Sequence, residues 1–372
     1  MSATQPALKM RSIKRQVLSR GYKFYGDVIA KLMGDHTLAP AVIIWEPTMR
    51  CNLECTMCGY NQQGLLNNGA QTELSFEEIK TAIQNVKRAY KGLPYLPFIG
   101  FTGGEPFLRK DLEDIGAELT KEGFKYSITS NFTAVIPKRI DKLLKNPPAD
   151  MRISLDGVSE IHNSVRGKGM FEKTYANAKY FVQASDGKVP LHINCAVSPT
   201  NARGLSLLVD IAAELKADLR FQHALFTTPT MMAKQKEFSN KTWGRDVVIA
   251  GDCLEYTADT VETIVTEVGK ARKYAKEKGV FLDTLPWLAN DEEIREYYLN
   301  VEGWTKKPTC HSAWSTLRIA DNGDIYPCLK IIGGNIRRDE FSKIVNSPAL
   351  NEFRQVMNQV KLMPACHRCC KL

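Results

Sequence analysis

The chain has 372 residues, 44% of them hydrophobic and 24% charged, which is enough for a barrel-sized domain with its own core and a smaller second domain. It contains no apolar run of about 18 residues and no apolar signal-peptide centre, which argues against a transmembrane helix and favours a cytoplasmic protein. The formal net charge of +9 falls mostly near the start of the chain, where the interleaved aromatics are limited to Tyr22, Phe24 and Tyr25 and no nucleic-acid recognition module appears, so no nucleic-acid partner is expected.

A basic amphipathic helix is predicted over residues 9–33. Met10, Ile13 and Val17 begin an apolar pattern with helical spacing, and seven lysines and arginines lie largely between the apolar positions against a single acid, Asp27. Such a helix can pack on the outside of the main domain with a solvated basic face. Alternatively, it can dock on an anionic membrane surface or an acidic partner, which predicts peripheral association with the inner membrane face. Residues 1–40 are assigned to this helix and a linker.

Short apolar runs then alternate with helical segments over residues 41–225. The predicted strands are Val42–Trp45, Pro97–Phe101, Tyr126–Thr129, Arg152–Leu155, Leu191–Val197 and Leu219–Gln222. The first intervening helix begins at a capping box formed by Ser75 and Glu78. Because strands and helices alternate at this spacing, the sequence predicts right-handed βαβ units and a partial (β/α)6 TIM-like barrel.

The remainder of the chain is predicted to form two further segments. Residues 226–304 are interpreted as a connecting helical layer over the barrel mouth, with helices near Thr257–Lys278 and Asp291–Tyr298. Residues 305–372 are predicted as a small C-terminal domain. It contains a hairpin between Leu317 and Tyr326 and a helix around Pro348–Asn358.

Eight of the ten cysteines fall in two groups, which favours metal or redox chemistry over a disulfide framework in a reducing compartment. Cys51, Cys55 and Cys58 follow the first predicted strand on one short loop. Three thiolates can hold one cluster or ion and leave a fourth coordination position open. The second group comprises Cys310, Cys328, Cys366, Cys369 and Cys370.

The four-then-three spacing of Cys51, Cys55 and Cys58 after a strand resembles the cluster loop of the radical S-adenosylmethionine (SAM) superfamily. The resemblance implies a [4Fe-4S] cluster whose fourth iron binds SAM. It also implies reduction by a protein such as flavodoxin or ferredoxin, which yields a 5′-deoxyadenosyl radical. Met57 departs from the family pattern, in which an aromatic residue commonly precedes the third cysteine. A zinc knuckle is the alternative, although zinc sites usually pair cysteines at both ends of a closed site.

Further motifs follow in the order of the family at predicted strand ends. Gly103-Gly104-Glu105 resembles its GGE motif, Thr129-Ser130-Asn131 ends the third strand, and Ile153-Ser154-Leu155-Asp156-Gly157 ends the fourth. The segment from His162 to Gly167 resembles the one that supplies a carboxylate-binding arginine. The resemblance therefore implies SAM contacts from Gly103, Gly104, Glu105, Asn131, Ser154 and Arg166.

The spacing of Cys310 and Cys328 around Gly323 resembles the SPASM and twitch extensions of radical SAM enzymes. A full SPASM domain has seven cysteines, so the resemblance implies a twitch-like domain with one auxiliary [4Fe-4S] cluster. Either Cys369 or Cys370 would complete its ligand set. A zinc site made of the same thiolates is the alternative.

The resemblance implies net oxidation of a substrate, by dehydrogenation or by C–C, C–S or C–O bond formation. Candidates for orienting the substrate or removing a proton are Glu46, His192, Asn194, Gln222 and His223. A redox-neutral epimerisation with Cys253 as hydrogen donor is one alternative. A non-enzymatic electron-transfer protein is another.

The substrate class follows less directly from the sequence. The basic helix favours a lipid-like or small-molecule substrate. The roughly forty residues before the first strand are too few for the leader-recognition domain that peptide-modifying members often carry. A ribosomal-peptide maturase is the remaining alternative.

Overall fold

The computed structural model describes residues 28, 32–67, 72–224, 228–247, 254–300, 310–328 and 331–369. The predicted basic helix lies almost entirely outside the described residues, as do Cys253 and Cys370. Across the described ranges, no helix has both the length and the apolar character needed to cross a membrane.

One ten-stranded sheet organises the described chain, in the order β10-β9-β8-β1-β2-β3-β4-β5-β6-β7. The eight strands from β8 through β1 to β7 pair in parallel with their neighbours. Strand β9 pairs antiparallel with β8, and β10 pairs antiparallel with β9. The strands are β1 Val42–Trp45, β2 Phe98–Phe101, β3 Tyr126–Ser130, β4 Asp150–Ser154, β5 Leu191–Val197, β6 Asp218–His223, β7 Leu282–Leu285, β8 Thr316–Ile319, β9 Asp324–Tyr326 and β10 Gly334–Asn335. The sheet does not close within the described residues, because β10 and β7 are its two ends.

Helices connect the parallel strands, and short 3-10 turns lie at Pro106–Leu108, Ala202–Gly204 and Pro364–Cys366. The predicted capping box of Ser75 and Glu78 is confirmed at the start of α2. The helices are α1 Gly59–Gln62, α2 Phe76–Ala89, α3 Leu112–Lys121, α4 Pro137–Leu143, α5 Ser159–Arg166, α6 Met170–Ala184, α7 Leu208–Glu214, α8 Pro229–Trp243, α9 Ala258–Lys278, α10 Asp291–Leu299, α11 Ser312–Ser315, α12 Phe341–Val345 and α13 Pro348–Val360.

The predicted partial barrel is confirmed, and its parallel sheet has one more strand on each side than the sequence predicts. The segment expected to be a helical connection also supplies β7, a four-residue strand with two polar residues that lacks the continuous apolar run of β1. Arg220 of β6 pairs with Asp283 of β7 at 2.8 Å. On the other side, β8 of the C-terminal region lies parallel to β1. The domain boundaries at residues 225 and 304 therefore stay predictions.

Alternate residues of each parallel strand face opposite sides of the sheet. In β5, Leu191, Ile193 and Cys195 belong to the helix-covered core, whereas His192 and Asn194 are half-buried on the other face. That inner face carries paired charges, namely Arg152–Asp150, His192–Asp218 and Arg220–Asp283. The interior of the partial barrel is therefore polar near β4 to β7.

The C-terminal region has a hydrophobic cluster of its own. Trp314, Phe353, Met357 and Met363 are buried together with Cys366. Helix α8 also contributes to this cluster through partly buried side chains. The second cysteine group is thus built on a core separate from that of the sheet.

Candidate functional site

The loop after β1 is held by the turn after β2. The amide of Gly104 donates to the Thr48 carbonyl at 3.0 Å, and the amide of Glu105 donates to the Arg50 carbonyl at 2.8 Å. A Cβ atom at Gly104 would lie 2.1 Å from the Arg50 oxygen, and Gly103 has a φ of 109°. Both positions therefore require glycine, because the two backbones approach too closely for a side chain.

The three loop cysteines share one small apolar cluster with Leu53 and Val165. Burial raises the pKa of Cys51 to about 11, and the negative charges of Glu105 and of the other two loop thiolates add to that effect. The amide of Thr56 donates to the Val165 carbonyl, which ties the loop to α5. The structure thus brings the three predicted thiols together in a site where metal binding would favour the thiolate form.

A buried ion pair lies beside this loop. Arg166 ends α5 and donates through Nε to Oδ2 of Asp156, which is fully buried. Its Nη1 lies 3.7 Å from Cys55 Sγ. Burial raises the pKa of Cys55, and the Arg166 charge opposes that rise. Arg166 therefore supplies positive charge to the thiol site, and Asp156 fixes its position.

Glu105 connects the ends of β2 and β3. Its carboxylate accepts from Phe107 N at 3.0 Å, Ser130 Oγ at 2.7 Å and Asn131 N at 2.8 Å. Burial raises the pKa of Glu105, while these hydrogen bonds oppose that rise. A carboxylate offers about four acceptor positions, so these three bonds leave about one for a ligand.

Asn131 is also engaged within the chain. Its Nδ2 donates to Asn52 Oδ1 at 3.0 Å, and its Oδ1 accepts from the amide and hydroxyl of Thr133. Asn52 lies in the cysteine loop. The side chains of Glu105 and Asn131 thus stabilise strand ends and the loop, and their predicted SAM contacts stay predictions, as does that of half-buried Ser154 at the end of β4.

The second cysteine group comes together from distant parts of the chain. Cys366 is buried, and burial raises its pKa, as do the negative charges of the Cys328 and Cys310 thiolates. The amide of Cys369 donates to the Cys366 carbonyl at 3.0 Å. Four of the five predicted ligands therefore lie in one region, and the fifth, Cys370, is outside the described residues.

Helices α8 and α10 contact the segment that carries Cys366 and Cys369. Gln235 of α8 accepts from the amide of Ala365 at 3.2 Å. Arg368 is fully buried, donates to the Asn300 carbonyl and lies with its guanidinium carbon 5.2 Å from the centre of the Tyr297 ring. The Tyr297 hydroxyl in turn donates to the Arg368 carbonyl at 3.0 Å.

The donor chemistry of both groups fits iron–sulfur clusters, which are commonly held by cysteine thiolates. None of the eight described cysteines forms a disulfide. Among the residues that the structure describes, no three or more His, Cys, Asp or Glu side chains form a group that could hold a single metal ion.

A hydrogen-bonded network joins Tyr60, two residues after Cys58, to Tyr326, two residues before Cys328. Glu46 is 2% exposed, and its carboxylate accepts from Tyr60 OH at 2.8 Å, Arg318 Nη1 at 2.7 Å and Tyr326 OH at 2.6 Å. Glu46, Tyr60 and Tyr326 line a pocket of about 190 Å³, together with Met49, Gly64, Leu65, Ala320, Asp321, Asn322, Asp324 and Ile332. The predicted candidate Glu46 therefore lines a pocket.

The other predicted polar candidates have different surroundings. His223 is fully buried, its Nδ1 lies 2.7 Å from the Tyr298 hydroxyl, and burial lowers its pKa to about 3. His192 pairs with Asp218 on the inner face of the sheet. Asn194 Oδ1 has no hydrogen-bond partner among the described residues, and Gln222 lies on the same face.

The sequence alone did not identify the side chains that pair with Arg166 and Glu46. Asp156 lies in the motif Ile153-Ser154-Leu155-Asp156-Gly157, but only the structure pairs it with Arg166. Tyr60 stands two residues after Cys58 and Tyr326 two residues before Cys328, a symmetry that is visible in the sequence. Arg318 carries no comparable signal.

Two family models match this chain. The Radical SAM superfamily model matches residues 45–194, and the SPASM iron–sulfur cluster-binding domain model matches residues 310–370. The first match covers the strands and loops that carry Cys51 to Arg166. The second covers Cys310 to Cys370.

Curated relatives give a consistent result. The AdoMet-dependent heme synthase of Methanosarcina barkeri is 26% identical over 90% of this chain and 89% of its own length. The mycofactocin maturase MftC of Mycolicibacterium smegmatis is 29% identical over 49% of this chain and 44% of its own length.

Solved structures share the fold. SuiB of Streptococcus suis superposes with a TM-score of 0.62 at 16% identity over 88% of this chain and 70% of its own. The anSMEcpe enzyme with bound AdoMet gives a TM-score of 0.58 at 18% identity over 84% and 82%. The matched domains imply a [4Fe-4S] cluster with SAM and auxiliary iron–sulfur chemistry. This chain therefore belongs to the radical SAM superfamily and carries a SPASM iron–sulfur cluster-binding domain in its C-terminal region.

Proposed function

We propose that this radical SAM enzyme oxidises a small-molecule or lipid-like substrate, by dehydrogenation or by C–C, C–S or C–O bond formation. The observation that carries the proposal is the pocket beside Glu46, whose wall includes Tyr60, two residues after Cys58, and Tyr326, two residues before Cys328. A substrate bound there would lie between the two cysteine groups. That placement suits hydrogen abstraction on one side and electron removal on the other.

Residues of this chain would hold both cofactors. Cys51, Cys55 and Cys58 would ligate the loop cluster, and Arg166 would compensate negative charge beside Cys55. Cys310, Cys328 and Cys366 with Cys369 or Cys370 would ligate one auxiliary [4Fe-4S] cluster. When bound, these groups supply the electron that cleaves SAM to the hydrogen-abstracting radical and an acceptor for the electron left on the substrate.

Two observations support a small-molecule substrate: the residues that line the pocket and the identity of one relative. The pocket combines the acids Glu46, Asp321 and Asp324 with two phenols and apolar Met49 and Leu65. Such a lining suits a compact polar group with hydrogen-bond donors. One relative matched along most of its length is a heme synthase, whose product is a small molecule.

A peptide substrate is the second candidate. It is favoured by the partial match to the MftC maturase and by the fold of SuiB, which has been solved with its precursor peptide SuiA. Epimerisation with Cys253 as hydrogen donor stays a prediction, since that residue lies outside the described ranges.

The test begins with anaerobic reconstitution and counting of iron and sulfide. The wild-type chain should bind about eight irons, and a C51A/C55A/C58A variant about four, because each [4Fe-4S] cluster contributes four. With dithionite and SAM, only the wild type should form 5′-deoxyadenosine. Four irons in the wild type together with bound zinc would contradict the auxiliary cluster.

The substrate class is tested by adding candidate substrates to the same assay. A small amino alcohol, which carries the hydrogen-bond donors that the pocket suits, serves as a small-molecule probe and a short cysteine-containing peptide as a peptide probe. Stimulation of 5′-deoxyadenosine formation by the small molecule supports the first candidate, and stimulation by the peptide alone supports the second.

Membrane association is tested separately, with anionic vesicles. The proposed docking of residues 9–33 predicts binding that weakens with salt and is lost when Lys14 and Arg15 are changed to Glu. Binding that is absent, or unchanged in the double variant, would contradict a lipid surface as partner.

A further inference from the structure

Arg318 lies in β8 at the junction of the barrel and the C-terminal region. It stands opposite Ile44 of β1 on one side and Tyr326 of β9 on the other. Its Nη1 donates to Glu46 Oε1 at 2.7 Å, and Glu46 is almost fully buried. This ion pair is therefore held by strand register as well as by its own hydrogen bond.

Two tyrosines connect the ion pair to both cysteine groups. Tyr60, two residues after Cys58, donates to Glu46 Oε1, and Tyr326, two residues before Cys328, donates to Oε2. The charges of Glu46 and Arg318 are thus fixed between the segments that carry the two proposed clusters.

The charge of Arg318 is maintained in this position. Burial opposes the charged guanidinium, but the negative charge of the adjacent Glu46 carboxylate helps to raise the pKa of Arg318. Arg318 stands opposite Tyr326 across the β8–β9 pair, and Tyr326 lies two residues before Cys328, so the guanidinium is within electrostatic reach of that cysteine. A fixed positive charge near an iron–sulfur cluster favours its reduced form, and a fixed negative charge favours its oxidised form.

We propose that Arg318 raises the reduction potential of the auxiliary cluster held through Cys328 and that Glu46 lowers it. The ion pair would then determine how readily this cluster accepts an electron from the substrate. This inference rests on the proposed function, because it requires an iron–sulfur cluster at the second cysteine group. Neither side chain needs to touch the substrate for this effect.

The test is a redox titration of the reconstituted full-length protein, followed by electron paramagnetic resonance. The C51A/C55A/C58A variant identifies the signal of the auxiliary cluster. R318M should lower its midpoint potential, E46Q should raise it, and R318K should leave it close to the wild-type value because the charge is kept. Each shift should be about tenfold in the reduction equilibrium, or about 59 mV for one electron.

The matched control is R220M. Arg220 also forms an ion pair within the sheet, with Asp283 at 2.8 and 2.9 Å, and the negative charges acting on it are those of Asp283, Asp150 and Asp218. Its removal should leave the auxiliary potential unchanged. A merely structural role of the Glu46–Arg318 pair would not shift the potential in opposite directions when each charge is removed.

Each outcome decides one claim. Opposite shifts for R318M and E46Q support the proposal, whereas shifts of the same sign, or none, overturn it. If the R318M variant does not bind the auxiliary cluster, the E46Q variant provides the test. A raised midpoint potential in E46Q supports the proposal, and an unchanged midpoint potential overturns it. A wild-type chain without the second cluster overturns the proposed function as well, and iron counting distinguishes that failure.

Discussion

Cys51, Cys55 and Cys58 lie on one loop after β1. The described members of the second cysteine group span residues 310 to 369 and come together only when β8, β9 and residues 364–369 pack together. The loop depends on close backbone contact with a neighbouring strand end. The second group depends on helices α8 and α10, which hold its last residues through Gln235, Arg368 and Tyr297. Local spacing therefore builds one site and long-range packing builds the other, so substitutions should affect them separately.

The largest effect is expected for G104A. Its new Cβ would lie 2.1 Å from the Arg50 carbonyl oxygen and would push the cysteine loop away from the β2 turn. Iron should fall by about four per chain, and 5′-deoxyadenosine formation should fall at least about 100-fold, while the auxiliary cluster stays bound. Iron counting and product chromatography provide the measurements.

G269A is the control for this variant. Gly269 lies in α9, and an added Cβ would meet no atom within 4 Å. This change should keep all the iron and stabilise the helix by about 0.5–1 kcal/mol. Full iron content in G104A would show that the loop does not depend on the close backbone contact.

The next largest effect concerns the ion pair beside the loop. D156N leaves the Arg166 charge buried without its anion, which should lower the free energy of unfolding by about 3–5 kcal/mol. Denaturant unfolding measures it. D186N, at the exposed Asp186–Lys188 pair, should change stability by about 0.5 kcal/mol or less. Equal effects of both variants would contradict a special role for the Asp156–Arg166 pair.

A smaller effect is expected at the second group. R368M removes the hydrogen bond to the Asn300 carbonyl and the stacking on Tyr297, which should cost about 2 kcal/mol and loosen Cys366 and Cys369. Auxiliary-cluster iron should be lost first on dilution, with the loop cluster retained. R338M, at largely exposed Arg338, serves as control. Loss of loop iron in R368M would contradict the separation of the two sites.

The smallest effect is a pH dependence. Burial lowers the pKa of His223 to about 3, so the unfolded chain, with a histidine pKa of about 6.5, binds more protons below neutral pH. The stability contribution of neutral His223 is present above about pH 6.5 and is lost as the pH falls toward 3. Between pH 7.5 and 5.5 the loss should be about 1.4 kcal/mol.

Histidine variants assign this loss to a region. H223N keeps a hydrogen-bond acceptor near the Tyr298 hydroxyl and should remove about 1.4 kcal/mol of the pH-dependent loss. His162, whose pKa burial lowers to about 4, lies beside Asp156 and should contribute a similar loss near the cysteine loop. Denaturant unfolding at the two pH values measures both. An unchanged pH dependence in H223N would refute the assignment.

Much of the barrel was predictable because its signals are local. The hydrophobic runs of the six predicted strands and the capping box at Ser75 depend on neighbouring residues, and each lies where the structure has it to within two residues. Strand β7 was not predictable, since four residues containing Asp283 become a strand only beside β6. The pairing of β8 with β1 likewise joins residues far apart in sequence.

The sequence by itself determined the chemistry: the spacing of Cys51, Cys55 and Cys58, the glycines at 103 and 104 and the second cysteine group all indicated radical SAM and iron–sulfur functions. The tertiary structure decided which groups meet. It paired Asp156 with Arg166 and placed Arg318 and two tyrosines on Glu46. Spacing along the chain specifies ligands on one loop, whereas a buried charge finds its partner only when distant strands align.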